Sequence, residues 1–396
     1  MLVIIASVLL AVFYAALMEA YLRGWRALPE YEMPEEWVPT AMVSVLVPAR
    51  NEASHIEACL RSILSCSYPV HLLEIIVIDD YSEDNTRQVV LEMASEVPAI
   101  RLLRLSDFNV PDTILSHKKK AIEIGVAHAR GAIIVTTDAD CVAPVDWLRW
   151  MVGGILASPA RRDVQLLAAP VAFHREQNLL QRFQSLDFLG LMGITGAGIQ
   201  LGWQRMGNGA NLAYRKSVFE EAGGFKGNEN VASGDDMFLI QKVAARYPGG
   251  VAFLKNPAAI VLTEAKPDWL SFWQQRLRWG SKNAALPEWP VRLALLTVFL
   301  FCWSIVLTVG WLLWSLLVPC TNGVRTISAL LLVQLLVKST ADYRFLREMC
   351  MWFARRDLLR WFWPSFLLHT AYIVVVGTAS LFFKNYVWKG REHSTR

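Results

Sequence analysis

Charge is scarce in this 396-residue chain: only 19% of its residues are Asp, Glu, Lys or Arg, against about 25% in an ordinary soluble domain. With 54% hydrophobic residues, that scarcity excludes disordered and low-complexity classes, which carry much charge and little apolar surface. A large excess of one sign is missing as well. The 39 basic residues outnumber the 35 acidic ones by four, too few for a nucleic-acid surface, and a basic face turned to a membrane is the better reading. The six cysteines, Cys59, Cys66, Cys141, Cys302, Cys320 and Cys350, form no CxxC pair. They read as reduced structural thiols, not as a disulfide framework or a zinc site. No GxGxxG or GxxxxGK[ST] run is present, and His55, His71, His117, His128 and His174 have no ligand spacing. Both absences count against dinucleotide, ATP and histidine-metal chemistry.

What the chain has in plenty is long apolar runs, with 16 tryptophans, a residue that collects at membrane–water interfaces. Leu2 to Met18 is almost unbroken and extends through Tyr21 and Leu22 to about one bilayer thickness. Its first basic residues, Arg23 and Arg26, follow the run, so it reads as an uncleaved anchor with the chain after it cytoplasmic. Leu293 to Val318 is a second span, closed by Pro319 and the turn Thr321-Asn322-Gly323. A third, Ile327 to Val337, stops at Lys338; it extends to about Ala341 or is re-entrant. Trp361 to Phe383 is a fourth. Four crossings place the C-terminus outside, whereas Lys384, Lys389, Arg391 and Arg396 place it inside, and the sequence leaves both open. The resulting division is 1–22 anchor, 23–40 linker, 41–266 α/β domain, 267–290 interfacial helix, 291–383 about three membrane helices and 384–396 tail.

Within the polar segment, β-rich runs at 41–48, 74–78 and 132–137 alternate with helical patterns at 54–65, 86–94 and 118–129. Alternation of this kind predicts a mostly parallel sheet covered by helices, with ligands at the C-terminal ends of its strands. Those ends carry Arg50-Asn51-Glu52, Asp79-Asp80 and Asp138-Ala139-Asp140. Carboxylates gathered in one crevice repel each other unless a cation sits among them. Asp138 and Asp140 can reach one hard cation, Mg²⁺ or Mn²⁺, together with phosphate oxygens, so the crevice suits a nucleotide diphosphate.

Val43 to Glu52, Ile76 to Thr86, Lys118, Asp138-Ala139-Asp140, Gly207-Asn208-Gly209-Ala210-Asn211-Leu212, Gly234-Asp235-Asp236 and Gln275-Arg276-Leu277-Arg278-Trp279 together resemble, in order, the family 2 inverting glycosyltransferases. The resemblance implies a GT-A (Rossmann-like) mixed, mostly parallel α/β sheet between N-terminal and C-terminal transmembrane helices. It implies that Pro48, Ala49 and Glu52 line the nucleoside pocket, that Asp80 or Asp79 reads the base, and that Lys118 lies near the nucleotide. Asp138 would contact the nucleotide sugar and Asp140 the metal. The family's Ala-Leu-Asn after the lysine is replaced here by Ala121-Ile122-Glu123.

Acceptor hydroxyls need a base, because their pKa lies far above 7. Asp236 is the expected base and Asp235 its neighbour in orientation or acceptor binding; both also suit a helix N-terminus before Met237. Gln275, Arg278 and Trp279 share one helical face, fitted to the acceptor or the diphosphate. Trp269, Phe272, Trp273, Leu277 and Trp279 with Arg276, Arg278 and Lys282 also describe an interfacial amphipathic helix, and Leu179 to Gly202 reads as a second one. The expected activity is a metal-dependent, inverting hexosyltransferase of the cell (plasma) membrane, multi-pass, with a cytoplasmic catalytic domain. Its expected partners are a nucleotide-diphospho-sugar donor (UDP-linked), a lipid or glycan acceptor and the lipid bilayer, with no nucleic acid. A processive polysaccharide synthase and an inactive donor-binding scaffold are the alternatives.

Overall fold

A computed structural model of the chain describes residues 2–31, 33, 34, 36–111, 114–157, 163–228, 231, 234–280, 288–317, 323–382, 385–388 and 391–394. Pro319, Thr321, Asn322, Lys282, Lys384, Lys389 and Arg396, which figured in the sequence reading, lie outside these described residues.

The sheet follows from the apolar runs. β1 (Val43–Ala49) and β2 (Leu73–Asp79) are buried along almost their whole length, as continuous hydrophobic strands covered on both faces must be. β1 pairs in parallel with β2 and with β4 (Ile133–Thr136), and β2 with β3 (Ile100–Arg104). Helices α2 (Ile56–Leu64), α3 (Thr86–Glu96) and α4 (His117–His128) connect them. Beyond β4 the direction changes. β7 (Leu212–Arg215) runs antiparallel to β4 and to β5 (Leu166–Ala168), and β5 is parallel to β8 (Val251–Phe253), giving the order β3-β2-β1-β4-β7-β5-β8. A separate parallel pair, β6 (Val171–His174) with β9 (Val261–Glu264), leads from the sheet toward the apolar helices.

Four helices among the described residues are long and apolar enough to cross a membrane: 2–27, 289–317, 324–352 and 356–382. α1 (Leu2–Ala27) runs five residues past its expected end, because Trp25 is buried against Phe253 and Trp352 instead of entering a linker. It packs on α6 (Leu179–Gln200) so closely that a methyl group on Gly24 would stand 2.9 Å from Leu201. Lys255 Nζ donates to the Trp25 carbonyl at 3.0 Å, and Arg26 pairs with Glu348 at 2.8 Å. Anchor and domain are therefore one packed body.

α10 (Trp289–Leu317) precedes α11 (Val324–Trp352), which corrects the short third span. Lys338 does not end the helix. Its Nζ lies 2.6 Å from Asp342 one turn on, in an entirely buried pair joined by a hydrogen bond from Tyr14, so the charge is paired within the bundle and the helix continues. α12 (Phe362–Phe382) packs on α10 and α11 as well as on the helices of the α/β domain. Phe362 touches Tyr343, Tyr372 meets Phe183 and Phe272, Trp303 Nε1 donates to Thr378 Oγ1 at 3.2 Å, and Ser380 packs on Gly280. A hairpin of β10 (Asn385–Trp388) and β11 (Arg391–Ser394) follows.

Candidate active site

The ends of β1, β2 and β4 deliver Glu52, Asp80, and Asp138 with Asp140 to a common crevice. Asp80, just past β2, donates its N–H to the Ala49 carbonyl at 2.8 Å, which joins the ends of β1 and β2. Its carboxylate lies 2.9 Å from His117 Nδ1 at the start of α4. Arg50 Nη1 donates to the carbonyls of Asp80 and Tyr81 at 3.0 and 3.1 Å and holds the turn. Asp138 and Asp140 follow β4 directly.

α4 brings Lys118 into the crevice, with Nζ 2.6 Å from Asp138 Oδ1 and 3.4 Å from Asp235 Oδ2. Burial alone would lower the lysine pKa, but Asp138, Asp235 and Asp236 outweigh it and raise it, so the amine stays charged. Asp235 and Asp236 open α8 (Asp235–Arg246), where the positive end of the helix favours carboxylates. Gly234 precedes them with φ +89°, a conformation suited to glycine. Asp236 Oδ2 accepts from Gly209 N–H at 3.3 Å and Oδ1 from Met237 N–H at 2.7 Å. A Cβ on Gly209 would stand 2.8 Å from Asp235 Oδ2 and 3.3 Å from Lys118 Nζ, so a side chain there would displace both groups. The Gly207–Asn211 turn is itself fixed by Thr136 Oγ1, which donates to the Gly209 carbonyl at 2.8 Å, and by Asn211, which bridges Pro170 and Ala259.

α9 (Trp269–Gly280) closes the third side. Gln275, Arg278 and Trp279 all face one cavity of ≈ 1370 Å³, as do Pro48, Ala49, Glu52, Asp80, Lys118, Asp138, Asp140, Asp235 and Asp236. Asp79, the other acid left open by the sequence reading, does not line this cavity. Its carboxylate accepts from Ser82 N–H at 3.3 Å and lies 3.6 Å from Arg87, outside the cavity. Burial pushes its pKa up. Adjacent residues leaving a strand point to opposite sides, and of the two Asp80 is the one that lines the cavity.

The same cavity continues from these acids into an apolar space between the long helices, where Phe299, Ile373, Val376 and Leu381 line it. Among the described residues no three His, Cys, Asp or Glu side chains gather as a metal cage. Two carboxylates from one strand end, both facing the cavity, suit a Mg²⁺-like ion that takes its remaining ligands from phosphate and water.

Three arrangements escaped the sequence reading. Arg276 is buried with Asp187 of α6, Nη2 to Oδ2 2.8 Å, under the rings of Phe272 and Trp279; the signal was an acid interrupting an apolar helix. Lys119 is buried and donates to the carbonyls of Asn228 at 2.8 Å and Val231 at 2.6 Å, just before α8. Glu123, at the departure from the family pattern, accepts from Phe225 N–H at 3.3 Å and so supports the same loop.

A mixed, mostly parallel sheet with an acidic cluster at its strand ends, flanked by membrane-type helices, defines the class as a GT-A-fold protein. Residues 44–223 match the family described as Glycosyl transferase family 2. It is 27% identical over 265 residues to a probable glycosyltransferase, YdaM, of Bacillus subtilis, covering 66% of this chain and 60% of the relative. It is 26% identical over 280 residues to a beta-monoglucosyldiacylglycerol synthase of Synechocystis, covering 68% and 54%. The chain thus spans a little over half the length of these relatives. In fold it is similar to the mannosyltransferase PcManGT of Pyrobaculum calidifontis, solved in complex with GDP-Man and Mn²⁺, with TM-score 0.60 and 19% identity over 96% of this chain and 98% of that one.

Proposed function

We propose that this protein is a membrane-bound inverting glycosyltransferase that moves a sugar from a nucleotide-diphospho-sugar to a hydroxyl of a lipid acceptor. The observation that carries the reading is the continuity of the cavity, which joins the acids of β2, β4 and α8 to an apolar space between membrane-type helices. A polar acceptor needs no such extension; an acyl or prenyl chain does. A Synechocystis relative named a beta-monoglucosyldiacylglycerol synthase points the same way.

In this reading Pro48, Ala49, Glu52 and Asp80 hold the nucleoside. Asp138 and Asp140 would hold a divalent cation, which supplies charge neutralisation to the departing diphosphate. Lys118 adds a fixed positive charge on the same side, and Arg278 faces the cavity from α9. Asp236 takes the proton of the acceptor hydroxyl as its oxygen bonds to the anomeric carbon. The bond from that carbon to the diphosphate oxygen breaks, and the nucleoside diphosphate leaves with the electron pair. The Gly209 and Met237 N–H groups orient the base, while Gln275 and Trp279 border the acceptor side. The catalytic domain faces the cytoplasm, where nucleotide sugars are made available.

The test is release of nucleoside diphosphate from a panel of UDP- and GDP-sugars by the detergent-purified protein, with Mg²⁺ or Mn²⁺ and with or without membrane lipid. Release stimulated by lipid and lost in Asp236→Asn supports the reading; donor binding with no release under any condition refutes it. A ladder of products from one acceptor would instead indicate a polymer synthase.

A further inference from the structure

The hairpin after α12 returns to the nucleotide end of the crevice. Arg391 Nη1 lies 3.0 Å from Asp80 Oδ1 and 2.9 Å from Oδ2, and its guanidinium sits 6.0 Å from the Tyr81 ring. Both partners are largely shielded, with side chains 13% and 6% exposed. One nitrogen therefore engages both oxygens of the acid that faces the cavity, and His117 Nδ1 stands 2.9 Å from Oδ1 as well. A carboxylate has about four lone-pair positions, and Arg391 takes up one on each oxygen.

We propose that the C-terminal arm is an internal competitor for the nucleotide: Arg391 occupies Asp80 in the empty enzyme, and a nucleobase N–H gains that acid only when the arm lifts. The inference rests on the proposed donor site, since it takes Asp80 as the group that reads the base. When only the arm-open fraction binds, the measured affinity is reduced by that fraction. Removing the cation therefore tightens binding, whereas removing a clamp that embraces the nucleotide would weaken it.

The same contact fixes the course of α12. Asp80 belongs to the α/β domain, so an arm that reaches it stays on the domain's side of the membrane. The helix before it allows this: it lies along α6 and α9 of the domain, with Tyr372 on Phe183 and Phe272 and Ser380 on Gly280. Its exposed Trp363, Leu367, Val375 and Phe382 recur at helical spacing as a stripe that meets lipid. α12 thus brings the chain after it back to the domain's side of the membrane.

The experiment measures the dissociation constants of UDP and GDP for the full-length protein and for Arg391→Ala, without sugar transfer. The variant is expected to bind the preferred nucleotide about three- to tenfold more tightly, the range for releasing one shielded ion pair. Equal or weaker binding by the variant overturns the arm's role; no nucleotide binding by either form overturns the donor site itself. A protease-sensitive tag at the C-terminus, tested in sealed vesicles of known orientation, should be cut only where the catalytic domain is also exposed. Cleavage from the opposite face overturns the proposal.

Discussion

Lys118 Nζ lies 2.6 Å from Asp138 Oδ1, joining the first turn of α4 to the end of β4. The same amine reaches Asp235 on α8, so one cation is shared by the acids that follow β4 and open α8. Lys118→Met removes it and leaves the carboxylates facing each other. Nucleoside diphosphate affinity is expected to fall about tenfold, the scale of one charged contact of about 1.4 kcal/mol, with a direct binding titration as the check.

Asp236→Asn keeps the shape of the side chain and, through its one amide oxygen, one of the two N–H bonds from Gly209 and Met237, while removing the proton acceptor. Transfer should drop about 10²- to 10⁴-fold, the span of general-base catalysis. Donor affinity should stay within roughly twofold. Comparable losses in both would show that Asp236 binds the donor instead.

Lys119 is a positioning residue. Lys119→Met leaves the carbonyls of Asn228 and Val231 without their buried charged donor, at a cost of about 1.5–3 kcal/mol per lost bond. The melting temperature should fall, and because this loop enters α8, the KM for the acceptor should rise more than that for the donor. A uniform loss of activity with unchanged KM values would contradict the positioning role.

Acid should destabilise the domain through Glu74. Burial on its own would raise this carboxyl's pKa, but the Arg130 N–H, the Ser44 hydroxyl and Arg101 outweigh it and hold the pKa below its ordinary value. A depressed folded-state pKa stabilises the fold above the unfolded value of about 4.3 and loses that contribution as pH falls through the folded value. Glu74→Gln should therefore be less stable at neutral pH, and the difference from the parent should shrink between about pH 5 and pH 3 in chemical denaturation.

Filling the apolar arm of the cavity separates lipid use from donor chemistry. Ile373→Trp places a larger ring in that space. Transfer to a lipid acceptor is expected to fall about tenfold or more, with nucleotide binding unchanged. Equal effects on both would place the acceptor elsewhere.

The parallel half of the sheet was legible because β1 and β2 are uninterrupted buried runs ending in acids. β5, β7 and β8 were not, since three or four residues are too few to show a period. The acidic strand ends and the α8 start could be singled out from residue type and order. The choice of Asp80 over Asp79 could not, because it depends on which side of the strand faces the crevice. Lys338 looked like a helix end for want of its partner: Asp342 lies on the next turn, but its burial beside Tyr14 is a tertiary fact. Arg391 was visible only as one of several basic residues near the C-terminus, more than three hundred positions from the acid it meets.

The seam where Gly24 lies on Leu201, Lys255 holds the Trp25 carbonyl and Arg26 meets Glu348 makes the first helix a depth gauge. A flexible leash would let the catalytic crevice hover at any height above the headgroups. A seated helix instead sets Asp236 at one elevation relative to the hydrocarbon boundary, so under the proposed function a lipid acceptor would be selected by how far its reactive group stands above its chain. Lengthening the α1–β1 connection should leave that selection intact, whereas Gly24→Leu, which prises the seam apart, should blur it.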